Sequence, residues 1–263
     1  MNPLQHLYRW AFARPAFARF NRSLMVLGLN GLGVLNYSSA RASGELAFLR
    51  RELAGLPAPL VLDIGANRGL YAEMVLGCAP GARLHAFEPH PRTFEALTQR
   101  LGGRDGVVLN HAGCGAAAGE LSLFDYAEAD GSSHASMHRE VIERLHAARA
   151  VEHRVPVTTV DDYVARRGLE RIDLLKIDTE GHEFAVLQGA ARTLDQGRVE
   201  RVHLEFNEMN AMSGVFFRQI HDLLAPHYRL YRLLPSAMLE ITRYTPLDCE
   251  IFAFQNIVAL RRR

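Results

Sequence analysis

Two apolar runs of the sequence each lead to a carboxylate, and these two acids are the first candidates for chemistry. Asp63 lies near the end of the run 60–64, and Glu88 follows the run 84–87. Either acid alone is also explained as a solvated strand end. Together they would meet in the ligand crevice of an open α/β sheet, which lies beyond the carboxyl ends of its parallel strands. Because a carboxylate at Glu88 can accept hydrogen bonds from both hydroxyls of a ribose, the pair predicts a nucleoside-type cofactor.

A glycine turn follows Asp63 and narrows the kind of cofactor. Gly65 and Gly69 allow a sharp turn and a close approach to a ligand, and Asn67 tolerates the left-handed region. A dinucleotide site prefers glycine where this chain has Asn67, and an acid such as Asp63 would lie badly beside a diphosphate. Asp63 suits a positively charged ligand instead. S-adenosylmethionine carries an ammonium and a sulfonium, so it is the predicted cofactor.

Four ionisable residues lie close together at the end of a third apolar run, 172–177. They are Lys176, Asp178, Glu180 and His182. Burial of Lys176 in a strand would be costly without a partner such as Asp178 or Glu180. The cluster predicts the reaction centre, because its strand neighbours the first one and opens onto the same crevice. The alternative is a salt-bridged strand end, with Glu183 in the first helical turn, where the helix dipole favours a carboxylate.

These residues must be positioned by an alternation of strands and helices, which the chain shows from Leu60 onward. Continuous apolar runs are typical of parallel strands that are covered on both faces, and the segments between several of them have helical spacing. The alternation predicts an α/β fold built on an open sheet with right-handed crossovers. The predicted strands are residues 60–64, 84–87, 107–109, 172–177, 202–206, 228–234 and 255–260.

Composition narrows the class of protein further. The 263 residues suit one large domain with an added segment. The 30 basic and 29 acidic residues nearly cancel, which gives no reason to expect a nucleic-acid partner. Three widely spaced cysteines without a CxxC pair argue against a disulfide framework or a structural zinc site and favour a cytoplasmic protein. The oligomeric state is not predicted.

We expect two parts: a basic and aromatic helical segment, residues 1–56, and a cofactor-binding domain, residues 57–263. Residues 1–44 contain five arginines and no acidic residue. One interpretation is an amphipathic helix that contacts an anionic membrane surface, which would make the protein peripheral there. The other is a helical cap that packs on the catalytic domain. The apolar stretch 24–35 is too short to span a bilayer.

An insertion, residues 127–153, interrupts the alternation. It contains four histidines, His134, His138, His146 and His153. We interpret it as a lid over the crevice. His134 and His138 have a helical spacing that a metal site would allow, but a nearby carboxylate in an HExxH pattern is missing, so no metal site is predicted.

The motifs together resemble the FkbM-type family of S-adenosylmethionine-dependent methyltransferases. The resemblance covers roughly residues 43–260 and rests on DIGANRG (63–69), FEP (87–89), TVDD (159–162), KIDTEGHE (176–183) and VLQGA (186–190). It implies the class I methyltransferase fold, a seven-stranded Rossmann-like sheet whose last strand is antiparallel. Thr179 stands where the family usually has an apolar residue. By position, the resemblance implies a cofactor site formed by Asp63, Gly65, Ala66, Asn67, Gly69, Glu88 and Pro89, with Asp178 near the sulfonium.

The resemblance also implies methyl transfer to the hydroxyl of a sugar, glycan or secondary metabolite. A neutral alcohol is a weak nucleophile, so a general base is expected, and His182 is the first candidate because histidine is mostly neutral at pH 7. Glu180 or Glu183 would orient its ring. Asp178 and Glu205 are the other candidate catalytic residues. The alternatives are that His182 only bonds locally and that Glu205 is a solvated strand-end acid.

Two other functions remain open from the sequence. A nicotinamide-dependent oxidoreductase would use a related sheet, although Asn67 in place of the middle glycine argues against it. A non-catalytic protein that binds a nucleoside cofactor would keep the crevice without turnover. The ionisable residues of 176–182 argue weakly against such a decayed site.

Overall fold

The computed structural model describes residues 2–126 and 150–262, and an eight-stranded sheet forms its centre. The strands, numbered in chain order, are β1 (Leu60–Ile64), β2 (Arg83–Phe87), β3 (Val107–Asn110), β4 (Gly113–Cys114), β5 (Gly119–Tyr126), β6 (Ala150–Thr158), β7 (Leu174–Ile177), β8 (Arg201–Phe206), β9 (Tyr228–Leu233), β10 (Met238–Glu240) and β11 (Gln255–Arg261). All seven strands predicted from the sequence are present, with ends that differ by at most two residues.

The strand order of the large sheet is β10-β9-β11-β8-β7-β1-β2-β3. Strands β3, β2, β1, β7 and β8 pair in parallel, whereas β11 is antiparallel to both of its neighbours, β8 and β9. The class I sheet with an antiparallel last strand is therefore confirmed. Its edge differs from the seven-stranded expectation, because the short strand β10 pairs with β9 and adds an eighth strand.

Helices cover both faces of this sheet. In chain order, the helices of the described residues are α1 (Pro3–Phe12), α2 (Ala18–Gly31), α3 (Glu45–Leu53), α4 (Leu70–Cys78), α5 (Pro91–Leu101), α6 (Val160–Arg167), α7 (Glu183–Gln188), α8 (Ala191–Asp195), α9 (Glu208–Ser213), α10 (Phe217–Leu224) and α11 (Pro246–Cys249). Local chemistry sets several of their ends. In α6, the Thr159 side chain accepts a hydrogen bond from the Asp162 N–H at the start, and Gly168 ends the helix in the left-handed region.

The core consists of two apolar layers, one on each face of the sheet. All five residues of β1 are buried. Leu62 and Ile64 pack into one layer, and Val61 packs into the other with Phe48 and Leu49 of α3. Successive strand residues point to opposite faces, so a strand covered on both sides reads as a continuous apolar run. This is why the strands are visible in the sequence.

A second, three-stranded sheet was not predicted. Its order is β4-β6-β5, with β5 and β6 antiparallel. Residues 150–153 of the expected insertion belong to β6, and His153 has its ring against that of His90, at 4.6 Å between centroids. The rest of the expected lid, with His134, His138 and His146, lies outside the described residues.

The amino-terminal segment does not behave as one unit. Helix α3 packs Phe48, Leu49 and Leu53 into the core of the sheet. By contrast, none of the residues of α1, α2 or the turn Pro15–Phe17 between them is buried. The helical-cap interpretation is therefore wrong for residues 3–31, because a cap would bury an apolar face against the domain. The division of the chain at residue 56 stays a prediction.

Candidate active site

The loop after β1 forms one wall of a crevice at the carboxyl edge of the sheet. Gly65 has φ +82°, and a Cβ at this position would collide with the carbonyl oxygen of Asp178, on the loop after β7. Asn67 also lies in the left-handed region, with φ +49°, which asparagine tolerates better than most residues. The two loops therefore touch, and only glycine at position 65 permits the contact.

Glu88 follows β2 and faces the crevice. The backbone N–H groups of Asn67 and His90 donate to its two carboxylate oxygens, at 2.9 Å and 2.8 Å. Burial raises the pKa of Glu88 to about 7, against the lowering effect of these two N–H groups. The two hydrogen bonds hold the carboxylate in one orientation at the end of its strand.

Asp63 lies deeper than the sequence suggests. Its side chain is buried, it is level with Lys176 of the neighbouring strand, and its Oδ2 has no hydrogen-bond partner within residues 2–126 and 150–262. Burial raises the pKa of Asp63 to about 7, although the nearby Lys176 acts in the opposite direction. Asp63, Ala66 and Gly69 are not among the residues that line the cavity, whereas Gly65, Asn67, Glu88 and Pro89 are.

Lys176 is the only lysine of the chain and is 2% exposed. Its Nζ lies 3.3 Å from Oδ2 of Asp178 and 5.3 Å from the ring centroid of Tyr71. Burial opposes its charge, but Asp178 and other nearby carboxylates outweigh this effect and raise the pKa of Lys176. The predicted pairing of Lys176 with Asp178 is confirmed by this geometry, and it leaves a cation beneath the acidic edge of the crevice.

Glu183 lies in the first turn of α7, as the salt-bridged alternative expects, but its carboxylate binds the preceding loop. Its buried carboxylate accepts hydrogen bonds from the backbone N–H groups of Thr179 (2.9 Å) and Gly181 (3.1 Å) and from Nδ2 of Asn210 (2.9 Å). It therefore fixes the loop 178–181, which contains Glu180 at φ +52°, and is engaged there rather than in orienting His182. Sequence reasoning missed Asn210, which lies 27 residues further along the chain.

Two further acids, Glu180 and Glu205, line this edge of the cavity. Burial and the charge of Asp178 raise the pKa of Glu180 and of Glu205. Nδ2 of Asn207, another residue missed from the sequence, donates to Oε1 of Glu205 at 2.6 Å. Glu205 is thus a half-buried, hydrogen-bonded group, and its interpretation as a solvated strand end is wrong.

His182 is half-buried at the amino end of α7 and lines the crevice. It packs against Gly115, since a Cβ on that glycine would lie 3.0 Å from Nε2 of the ring. Gly115 follows β4, so the second sheet closes over the histidine. The same sheet supplies an apolar wall to the crevice, formed by Leu121, Leu123, Val155 and Val157.

The crevice encloses a cavity of about 270 Å³. Four carboxylates line it, from Glu88 at one side to Asp178, Glu180 and Glu205 at the other, and the described lining residues include no lysine or arginine. This lining fits a ligand with a positive charge and a hydroxylated ring, such as S-adenosylmethionine. Among the described residues, no group of three or more His, Cys, Asp or Glu side chains could hold a metal ion.

Strand order and crevice together define the class I fold of S-adenosylmethionine-dependent methyltransferases. A comparison with protein families agrees: the methyltransferase FkbM domain matches residues 63–233. The chain belongs to this family and is an S-adenosylmethionine-dependent methyltransferase. The nicotinamide-dependent alternative is not favoured.

Three curated relatives illustrate the similarity. The 2-O-methyltransferase NoeI of Sinorhizobium fredii is 29% identical over 191 residues, which cover 69% of this chain and 77% of that protein. The 31-O-demethyl-FK506 methyltransferase FkbM of Streptomyces tacrolimicus is 28% identical over 65% of this chain and 74% of its own length. The hexuronic acid methyltransferase AglP of Haloferax volcanii is 27% identical over half of each chain.

In the part of the chain that the structure describes, no helix combines the length and the apolar character needed to span a bilayer.

Proposed function

We propose that the protein transfers a methyl group from S-adenosylmethionine to a hydroxyl oxygen of a sugar, a glycan or a secondary metabolite. The observation that carries the proposal is the cavity itself, in which Glu88 lies at one side and the cluster of Asp178, Glu180, His182 and Glu205 at the other. The relatives named as a 2-O-methyltransferase and a 31-O-demethyl-FK506 methyltransferase support an oxygen acceptor, and the relative named as a hexuronic acid methyltransferase supports a sugar acceptor.

The cofactor would be held mainly by the β1 and β2 loops. Glu88 has the position for the ribose hydroxyls, and the backbone at Gly65 and Asn67 permits close approach. Asp178 would face the sulfonium, whose methyl group is the electrophile that the bound cofactor supplies. Asp63 lies below this wall, so we propose that it acts through Lys176 and the local charge balance rather than by touching the ligand.

The remaining step is removal of the acceptor proton. We propose His182 as the general base, since its ring lines the cavity beside Asp178 and is enclosed by Gly115. Glu205 is a weaker candidate, because its raised pKa keeps it protonated to higher pH than an ordinary glutamate. The protein's further contribution is to align the acceptor oxygen with the methyl group and to exclude water under the apolar wall.

The proposal also includes the location of the protein and its partners. All three cysteines are free, as a reducing cytoplasm would keep them. Residues 1–44 would make the protein peripheral at a membrane surface, and the acceptor would be a small molecule or a glycan.

Calorimetric titration of the full chain with S-adenosylmethionine and its demethylated product tests cofactor binding. Mass spectrometry of candidate sugars and metabolites, incubated with enzyme and cofactor, then tests transfer. We expect binding of both ligands and a mass gain of one methyl group on an acceptor with a free hydroxyl. Binding without transfer to any hydroxylated acceptor would favour the non-catalytic alternative, and absence of binding would overturn the proposal.

A further inference from the structure

Helices α1 and α2 form a helical hairpin, residues 3–31, that is held together by its own contacts. Four aromatic rings contact one another with centroid distances of 5.0 to 6.5 Å: those of Tyr8, Phe12, Phe17 and Phe20. The Tyr8 hydroxyl donates to Oδ1 of Asn21 at 2.6 Å, and Nδ2 of Asn21 donates to the carbonyl of Phe12 at 3.0 Å. The hairpin is therefore an ordered unit although it buries no residue against the domain.

The hairpin exposes large apolar side chains. Leu4, Leu7 and Trp10 are 69%, 61% and 73% exposed and recur every three residues along α1, so they share one side of that helix. On α2, Met25 and Leu27 are 58% and 66% exposed. Clusters of exposed apolar side chains on this scale are uncommon on soluble surfaces and mark sites of interaction.

The charge of the hairpin has one sign. It contains four exposed arginines, Arg9, Arg14, Arg19 and Arg22, and the first acidic residue of the chain is Glu45. Docking of two hairpins on each other would bring groups of the same charge together, and an ordinary apolar surface offers no negative charge to the hairpin. A layer with negative charges at its surface and an apolar interior would bind both the arginines and the exposed apolar side chains of the hairpin.

We propose that the hairpin docks on the surface of an anionic lipid bilayer. Helices α1 and α2 lie in the headgroup plane, Trp10 and the leucines enter the boundary with the acyl chains, and the arginines contact lipid phosphates. Fourteen residues are too few for α2 to cross the bilayer, so the contact is peripheral.

The hairpin is attached beside the crevice. The Leu35 N–H donates to the carbonyl of Phe254 at 2.7 Å, and Val34 pairs with Gln255 at the start of β11. Gln255 is in register with Phe206, the residue after Glu205. Docking thus places the mouth of the crevice near the bilayer. In this last step, which rests on the proposed function, the acceptor is a hydroxylated group anchored in the membrane, such as a lipid-linked glycan.

Trp10 is the single tryptophan of the chain, so tryptophan emission, excited at a wavelength that tyrosine does not absorb, reports on the hairpin alone. We expect Trp10 emission to shift to shorter wavelength when the full-length protein is titrated with vesicles of phosphatidylglycerol and phosphatidylcholine. Pure phosphatidylcholine should give a much smaller shift. High salt should weaken binding to the anionic vesicles, because screening reduces the attraction.

Two quadruple variants lose the same amount of charge. They distinguish the contribution of the hairpin arginines to vesicle binding from the effect of the net charge of the protein. R9Q/R14Q/R19Q/R22Q should weaken vesicle binding by roughly five-fold for each arginine removed. The control R50Q/R104Q/R229Q/R243Q removes four exposed arginines outside the hairpin and should bind nearly as the parent does. Co-sedimentation with the vesicles provides the second measurement.

Three outcomes would overturn the proposal: no emission shift with anionic vesicles, equal binding to both lipid compositions, or equal losses in the two quadruple variants. A shift that depends on protein concentration without vesicles would assign the surface to self-association instead. The assay contains neither cofactor nor acceptor, so its failure is independent of the proposed methyl transfer. Conversely, vesicle binding without transfer to any hydroxyl would leave the docking surface in place and remove the proposed function.

Discussion

The crevice and the hairpin depart from the usual distribution of side chains in opposite directions. The crevice region buries charge: Lys176 is 2% exposed and Asp63 1%. The hairpin exposes apolar surface instead, with Trp10 at 73%. Each departure costs stability or solubility, and departures of this kind concentrate where a protein binds something. The crevice therefore fits a charged ligand, and the hairpin has the exposed apolar and basic surface that the proposed contact with an anionic bilayer requires.

We expect the largest effect from His182→Ala, a substitution in the crevice. Loss of a general base should lower turnover by about 10²–10⁴-fold, while calorimetry should find nearly unchanged affinity for S-adenosylmethionine. His227→Ala, which removes an exposed histidine outside the crevice, is the matched control. Turnover equal to that of the parent would remove His182 from the mechanism.

The next effect tests the buried charge of Lys176. Lys176→Met should lower the free energy of unfolding by up to about 3–5 kcal/mol, less the part that solvent screens around the half-exposed Asp178. Urea denaturation measures this loss. The double variant K176M/D178N should recover part of it, because it removes the anion left without its partner. If the double variant is no more stable than K176M, the Lys176–Asp178 pair does not account for the burial of the lysine.

A pair of glycine variants tests the contact between the two crevice loops. Gly65 and Gly103 both have positive φ, but a Cβ collides with the Asp178 carbonyl at Gly65 and meets open space at Gly103. Gly103→Ala should lower the free energy of unfolding by about 1–2 kcal/mol through backbone strain alone. Gly65→Ala should lower it further and weaken cofactor binding. Equal losses in thermal or urea denaturation would show that the loop contact contributes nothing.

Two buried acids, Glu88 in the crevice and Asp63 below its wall, should make stability depend on pH. Burial raises the folded-state pKa of Asp63 and of Glu88 to about 7, from 3.8 and 4.5. Because the folded protein then retains protons that the unfolded chain has lost, the free energy of unfolding should fall as pH rises from about 4 to 7. The slope is about 1.4 kcal/mol per pH unit for each group. Urea denaturation across this range measures it.

Glu88→Gln should remove the contribution of Glu88 to the pH dependence of the free energy of unfolding. It should also raise the dissociation constant of S-adenosylmethionine roughly 10–150-fold, because charge-assisted hydrogen bonds are lost. Glu95→Gln, on the exposed side of α5, should change neither quantity. A pH slope that is the same in E88Q and the parent would contradict the raised pKa of Glu88.

The smallest effect is expected in the hairpin. Leu7→Ser replaces a side chain that is 61% exposed and should change the free energy of unfolding by less than about 0.5 kcal/mol. Leu49→Ala, in the buried face of α3, should cost about 2–5 kcal/mol. Urea denaturation compares the two leucines directly, and a large loss in L7S would mean that the hairpin packs on the domain after all.

Much of the catalytic domain could be predicted from the sequence, because the residues that indicate each strand or turn lie close together along the chain. Strand β1 reads as an apolar run since both of its faces are buried, and Gly65 and Asn67 mark the turn that follows it. The pairing of Lys176 with Asp178 also follows from a spacing of two residues at a strand end. Asn207 lies two residues after Glu205, so the same kind of spacing could have indicated it. Asn210 could not be assigned in this way, because its partner Glu183 identifies it only once α9 is packed beside α7.

By itself, the sequence determined the order of strands and helices, the turn after β1 and the acids at the strand ends, since periodicity and steric preference act over a few residues. The packing of the whole chain sets three further features: Asp63 lies below the crevice wall, Glu183 holds the 178–181 loop, and Gly115, after β4, packs against His182. It also decided that α3 is buried whereas α1 and α2 are not. These outcomes depend on which distant surfaces meet, and a pattern along one chain does not specify that.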